Sequence, residues 1–143
     1  MQVGVGAQER NWAMAAHLSA LVAIAGLPFG RVLGPLVVFL VKGHESEFVS
    51  EHARASLNYQ ITVSLFAIIA ILVLAAVTLG LVVPMTSASD STATGVSLAA
   101  VWIALGAGVL IVILASILFI VLGTVAASEG RPYVYPFAIR FLR

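Results

Sequence analysis

The chain alternates long apolar runs with short polar segments, and two of the apolar runs are long enough to cross a membrane as helices. Residues 55–83 and 96–127 contain no Asp, Glu, Lys or Arg. At about 1.5 Å per residue, each run exceeds a hydrocarbon core of ~30 Å. The polar loop between them begins at Pro84 and carries one charge, Asp90. The pattern therefore predicts two long transmembrane helices.

Two shorter apolar segments precede this pair. Residues 12–27 would form a helix of about 24 Å and residues 31–42 one of about 18 Å. Pro28 and Gly30 favour a break between them. Pro35 fits the first turn of the second helix. We predict two short spans; a re-entrant hairpin, in which neither segment fully crosses, is the open alternative.

Residues 43–56 form the most polar segment of the chain and lead without Gly or Pro into the first long apolar run. We expect the third helix to begin near Ser46 or Glu47, because acidic side chains in the first turns suit the positive end of the helix dipole. Glu51 and Arg54 are three positions apart, so they can pair on one helix face.

The C-terminal segment, residues 129–143, differs in character from the helices. Gly130 is expected to end the fourth helix, and Pro132 and Pro136 exclude a continuous helix after it. Aromatic residues alternate here with arginines, a pattern that suits a segment lying on lipid headgroups.

Together these elements predict an all-α fold: a polytopic membrane protein forming one four-helix bundle over residues 1–143, with two short N-terminal and two long C-terminal spans. Four spans put six of the seven basic residues on the side of the two termini and leave Arg31 on the other. The excess of basic residues predicts cytoplasmic N- and C-termini, with segment 43–56 on the same side.

Composition agrees with a lipid environment and narrows the function. The chain is 62% hydrophobic and 9% charged, whereas soluble domains carry about 25% charged residues. A net charge of +1 without a basic patch gives nucleic-acid binding no support. Without cysteine there are no disulfides or thiolate metal sites. We find no catalytic triad, phosphate loop or paired carboxylates within the spans, so we expect neither an enzyme nor a cofactor.

Several polar side chains stand out against this apolar background. His17 lies in the first span, where an ionisable group suggests a proton relay or, as we favour, a neutral histidine bonded to a neighbouring helix. Asn58 and Gln60 should face other helices, because their amides would be unsatisfied in lipid. His44 and His52 lack the spacing of a zinc motif. The candidate partner or helix-packing contacts are His17, Glu51, His52, Arg54, Asn58, Gln60, Arg131, Tyr135 and Arg140.

Small residues recur every four positions on both long helices. Ala76 and Gly80 do so on the third helix, and Ala100, Ala104 and Gly108 on the fourth. Such stripes allow close approach of helices in a membrane. We therefore expect them to lie at helix contacts.

Three segments carry a resemblance to a known family: ERNWAMAAHLSAL at 9–21, GPLVVFLVKGHESEFVSEHARASLNYQI at 34–61 and EGRPYVYPFAIRFL at 129–142. They resemble a widespread prokaryotic four-helix membrane domain of unknown function, grouped with the small four-helix subunit (the twenty-kilodalton member of the Tic family) of the chloroplast inner-envelope protein-import translocon. The best-matching positions are Phe48, Glu51, His52, Ala55, Asn58, Gln60, Tyr135, Pro136, Ile139 and Arg140.

The resemblance implies four helices with both termini on one side and a location in the prokaryotic inner membrane. It transfers no activity, because fold kinship does not carry function. Our leading hypothesis is a non-enzymatic accessory or assembly subunit that contacts lipid and other membrane proteins. The alternative is a component of a transport or protein-translocation pathway.

Overall fold

The computed structural model describes residues 4–21, 30–85 and 91–143. Four α-helices follow one another: α1 (Ala7–Leu18), α2 (Gly30–Lys42), α3 (Glu47–Met85) and α4 (Ser91–Ser128). The described ranges contain no strand, which confirms the all-helical prediction. The expected break at Pro28 and the end of the 12–27 segment lie outside the described residues.

The two short N-terminal spans are not supported. α1 has 12 residues and α2 has 13, so they reach about 18 Å and 20 Å, short of a ~30 Å hydrocarbon core. α1 also begins at Ala7 rather than at the apolar Trp12. It starts early because the Gly6 amide donates to Glu9 Oε2 at 2.7 Å, which satisfies a free backbone donor at the helix start.

α3 and α4 do have the length and apolar character of membrane spans. The qualifying segments are Glu47–Gly80 and Gly95–Ser128, each of 34 residues. A helix of that length extends about 51 Å, enough for the hydrocarbon core and the headgroup layers. These two helices account for the membrane character that the composition predicted.

The described chain divides into two compact units. One unit, Ser64–Ala115, holds the C-terminal part of α3 and the N-terminal part of α4. The large apolar side chains described in this unit are mostly exposed, as Ile71 and Ile103 are, the latter at 72%, so lipid is the solvent that suits them. A Cβ added at Gly80 or Gly108 would meet no atom within 4 Å. Among the described residues these two glycines therefore make no close contact, and a contact with a helix of another chain stays a prediction.

The other unit, Met1–Val63 with Ser116–Arg143, holds the packed core. We call it the headpiece. Ala16 of α1, Val38 of α2, and Val49 and Ala53 of α3 form one buried apolar cluster. The small residues let the helices approach closely. A Cβ added at Gly34 would lie 2.6 Å from Ser19 Cβ, so only glycine fits.

Local hydrogen bonds define where α3 begins. Ser46 Oγ accepts from the Val49 amide at 3.4 Å, as an N-cap, and donates to Glu9 Oε1 at 2.7 Å. The start of α3 is thereby bonded to the first turn of α1. Arg54 pairs with Glu47, not with Glu51 as the three-residue spacing suggested. The Arg54 guanidinium instead bonds to the carboxylate of Glu47, which lies two turns earlier on α3.

The end of α4 is a Schellman motif. Gly130 has φ +70°, its amide donates to the Ala127 carbonyl, and the Arg131 amide donates to the Ala126 carbonyl. The expectation that Gly130 ends this helix is confirmed, because a residue with a side chain would be strained at this φ. The turn directs the segment after it, residues 131–143, back along the headpiece, where its atoms bond to α1 and α3.

Candidate functional site

A buried histidine pair joins three parts of the headpiece. His17 Nε2 on α1 lies 2.8 Å from His52 Nδ1 on α3. His17 Nδ1 lies 2.8 Å from the Tyr135 hydroxyl. His52 Nε2 lies 3.1 Å from the Arg131 carbonyl oxygen. We call these contacts the histidine network; His17 is fully buried within it and His52 almost so.

The Arg131 carbonyl determines the direction of every bond in the histidine network. A carbonyl only accepts, so His52 Nε2 must carry a proton and donate to it. Neutral His52 then accepts at Nδ1, which requires His17 Nε2 to donate. Neutral His17 accepts at Nδ1, so the Tyr135 hydroxyl donates. All four ring nitrogens are therefore occupied, with both histidines neutral.

Burial keeps the network in this neutral form. It lowers the pKa of His17 from 6.5 to about 3, and a charge on His52 would lower it further by repulsion. Burial also raises the pKa of Tyr135. Desolvation penalises the charged state of each group. The arrangement thus favours fixed hydrogen bonds over proton exchange near neutral pH.

Aromatic rings surround the network. Tyr135 stacks on Tyr59 with ring centroids 4.4 Å apart, and Tyr133 meets His17 edge to face. The Tyr59 hydroxyl lies 3.0 Å from Ser116 Oγ on α4. The rings link α3, α4 and the C-terminal segment, and such pairs add about 0.5–1.5 kcal/mol each beyond burial.

A second set of bonds, which we call the tail clamp, holds residues 139–142 against α3. Asn58 Nδ2 donates to the Leu142 carbonyl at 2.9 Å, while Asn58 Oδ1 accepts from the Phe141 and Leu142 amides at 3.0 and 2.8 Å. One turn on, Thr62 Oγ1 accepts from the Ile139 amide at 2.9 Å. The side chains supply the backbone partners that an irregular segment otherwise lacks.

A cleft of about 710 Å³ opens between the first turns of α3 and the C-terminal segment. We call it the arginine cleft. Arg140 and Arg143 line it and have no ion pair within the described chain, and Glu51 likewise has none. The full lining is Glu47, Glu51, Arg54, Ala55, Asn58, Pro132, Tyr133, Val134, Tyr135, Ala138, Arg140, Leu142 and Arg143.

The predicted site residues thus fall into groups. His17, His52 and Tyr135 meet in the histidine network together with the Arg131 backbone, whereas the Arg131 side chain pairs with Glu129. Glu51, Arg54, Asn58 and Arg140 line the arginine cleft. Gln60 is buried, and its Nε2 has no partner within the described residues. That any of them contacts a partner protein stays a prediction.

Sequence reasoning missed four residues that complete the site. Tyr59, Thr62, Gly123 and Tyr133 were not among the predicted contact residues. Gly123 lies so close to the His17 ring that an added Cβ would be 3.0 Å from its Nδ1. An isolated Gly in an uncharged helix interior was the available signal, because such a Gly is costly unless a neighbour needs the space.

In ranges 4–21, 30–85 and 91–143, no three His, Cys, Asp or Glu side chains come together as a candidate metal site. The ring nitrogens of the histidine network already have partners.

A family model described as the magnetosome magnetite crystal formation protein family, MamF/MmsF, matches residues 8–142. The chain belongs to this family. No curated protein and no solved structure matches the chain. The MamF/MmsF match replaces the Tic resemblance, which was wrong: all three segments that carried it lie inside the matched range. Several of the residues quoted for it, including His52, Asn58 and Tyr135, serve contacts within this chain, and such packing positions do not specify a translocon.

Proposed function

We propose that this protein is an integral membrane component that takes part in magnetite crystal formation as a non-enzymatic accessory subunit. The observation that carries the proposal is the MamF/MmsF match over nearly the whole chain, residues 8–142. The two helices of membrane-spanning length agree with a protein of the magnetosome membrane. The translocation alternative came only from the Tic resemblance and is given up with it.

A non-enzymatic role is supported by how the headpiece uses its polar groups. General acid–base catalysis needs a group free to exchange a proton with a substrate. Both ring nitrogens of His17 and of His52 are instead bonded inside the protein. The groups left for other molecules are exposed charges at the start of α3 and along residues 129–143, which suits association with other membrane proteins and lipid.

We further propose that only α3 and α4 span the membrane. The headpiece would then lie on one side, with α1 and α2 at the surface. This topology puts all seven Lys and Arg residues on that side, where four spans would separate Arg31. The positive-inside rule makes it the cytoplasmic side. The exposed apolar face of α2, with Leu33, Val37 and Leu40, suits a helix lying in the interface.

The proposed function is tested by deleting the gene in a magnetosome-forming cell and imaging the crystals by electron microscopy. We expect crystals of altered size or number, restored by the wild-type chain. A tagged copy should fractionate with the magnetosome membrane. Normal crystals in the deletion strain, together with a chain absent from that membrane, would refute the proposal.

A further inference from the structure

The arginine cleft holds charges that the fold itself leaves unpaired. Arg54 is neutralised by Glu47, but Arg140, Arg143 and Glu51 are exposed, and none has an ion pair within the described residues. Besides the Arg54–Glu47 pair, two guanidinium groups and one carboxylate without an ion pair therefore line the same cavity of about 710 Å³. That volume is in the range of small-molecule sites, about 300–1,000 Å³.

These charges select a class of ligand. Guanidinium groups bind phosphate oxygens through charge-assisted, often bidentate hydrogen bonds. A free carboxylate in the same cleft disfavours a ligand that is only anionic and suits one that also carries an ammonium group. A phosphodiester linked to a primary amine supplies both charges within one headgroup.

The position of the cleft indicates that such a ligand comes from the membrane. Glu51, Arg54 and Asn58 lie in the turns of α3 that directly precede its apolar stretch, which begins at Ile61. The polar start of a membrane-spanning helix lies at the depth of the headgroups. The phosphate groups closest to the cleft are therefore those of phospholipid headgroups.

The C-terminal segment also offers contacts for acyl chains. Phe137 is 90% exposed, and Val134, Ile139 and Phe141 are exposed as well. Phe137 has φ 62°, a left-handed conformation that is unfavourable for a residue with a side chain. The tail clamp holds the segment in place on both sides of Arg140. The conformational entropy of the segment is therefore lost on folding and does not oppose lipid binding.

We propose that the arginine cleft binds the headgroup of an aminophospholipid, with Arg140 and Arg143 on the phosphate and Glu51 on the ammonium group. Phosphatidylethanolamine fits, because its ammonium N–H groups donate to a carboxylate. Phosphatidylcholine has no such N–H, and phosphatidylglycerol has no amine. The proposal concerns lipid binding and does not depend on the role in magnetite formation.

Native mass spectrometry of the full chain in mild detergent tests this assignment. The protein is titrated with phosphatidylethanolamine, phosphatidylglycerol and phosphatidylcholine of identical acyl chains. We expect phosphatidylethanolamine to bind most tightly. The double variant Arg140→Gln/Arg143→Gln should weaken its binding about ten-fold or more, as expected for losing charged hydrogen bonds. Glu51→Gln should remove the preference for phosphatidylethanolamine while phosphatidylglycerol still binds.

Arg31→Gln is the matched control, because Arg31 does not line the cleft, and it should bind all three lipids as the wild type does. Equal affinity of the wild type for the three lipids would overturn the proposal, as would unchanged binding by the double variant. Displacement of the lipid by an equal concentration of inorganic phosphate or glycerophosphoethanolamine would assign the cleft to a soluble phosphate instead. Glu51→Gln keeps the test valid should the double variant melt at a lower temperature.

Discussion

His17 and His52 are 35 positions apart in the chain, yet His17 Nε2 and His52 Nδ1 lie 2.8 Å apart in the headpiece. Neither ring could be buried alone, because a buried polar group without a partner costs about 1–3 kcal/mol. His17 Nε2 donates to His52 Nδ1. The Tyr135 hydroxyl and the Arg131 carbonyl bond to the two remaining ring nitrogens. The pair thus fastens α1 to α3 and to the segment after α4.

Removing either histidine should therefore destabilise the headpiece. We expect His17→Ala and His52→Ala each to lower the free energy of unfolding by about 1–3 kcal/mol, since the remaining ring loses its partner. The double variant should cost less than the sum by at least about 0.5 kcal/mol. Chemical denaturation in detergent measures all three. His44→Ala, at an exposed position, is the control and should change stability by less than about 0.5 kcal/mol. Additive losses at His17 and His52 would contradict the bonded pair.

Stability should also depend on pH through His17. Its pKa is lowered by burial from 6.5 to about 3, so between these values the unfolded chain binds a proton that the folded chain does not. Stability is then fully present above about pH 6.5 and falls as the pH decreases toward 3, by at most ~1.36 kcal/mol per pH unit from this group. Melting temperatures at pH 8 and pH 5 should differ more for the wild type than for His17→Gln. An equal difference in both would show that His17 does not titrate on unfolding.

The tail clamp should hold residues 139–142 only while Asn58 and Thr62 are intact. Asn58→Ala removes three bonds to this segment and Thr62→Val removes one. We expect faster hydrogen exchange at the amide of Leu142 in the first variant, and at Ile139 in the second, because each amide loses its acceptor. The Phe141 amide also donates to the Ile139 carbonyl at 3.1 Å, so its exchange should change less.

Thr124→Val is the control for the tail clamp. Like Thr62, Thr124 donates to the carbonyl four residues earlier, here Ile120. No bond from Thr124 to residues 139–142 is among the described contacts, so exchange there should be unchanged. Unaltered exchange at Leu142 in Asn58→Ala would contradict the clamp.

Two glycines should be intolerant of a methyl group. In Gly34→Ala the new Cβ would lie 2.6 Å from Ser19 Cβ, and in Gly123→Ala it would lie 3.0 Å from the His17 ring. Each should lower the melting temperature, because the helices must separate to relieve overpacking that costs about 1–3 kcal/mol. Gly108→Ala meets no atom and should be neutral or stabilising by up to about 1 kcal/mol. A Gly34→Ala variant as stable as the wild type would disprove the close approach of α1 and α2.

Cysteine labelling distinguishes two spans from four, and the native chain has no cysteine to interfere. Single cysteines are placed by His44→Cys, Ser89→Cys and Arg31→Cys and probed with a membrane-impermeant maleimide in intact cells and in lysates. If only α3 and α4 span, Arg31→Cys should behave like His44→Cys and unlike Ser89→Cys. If Arg31→Cys is instead labelled under the same conditions as Ser89→Cys, the result would support four spans.

The sequence alone determined the features that depend on neighbours along the chain. The long uncharged runs required helices, because a helix satisfies its own backbone groups in an apolar solvent. Ser46–Glu47 and Gly130 indicated a helix start and a helix end, because capping is a local interaction. The two short N-terminal spans are not supported, because the described helices α1 and α2 reach only about 18 Å and 20 Å.

The tertiary structure alone decided which distant residues meet. His17 and Tyr135 are separated by 118 positions, and no periodicity links them. Asn58 and Gln60 were both expected to face protein, but only the packed chain shows that Asn58 holds residues 141 and 142. Likewise, the small-residue stripes do not reveal that Gly34 and Gly123 are tightly packed while Gly80 and Gly108 are open. The physical reason is that such contacts arise from the packing of whole helices, which the local order of residues does not specify.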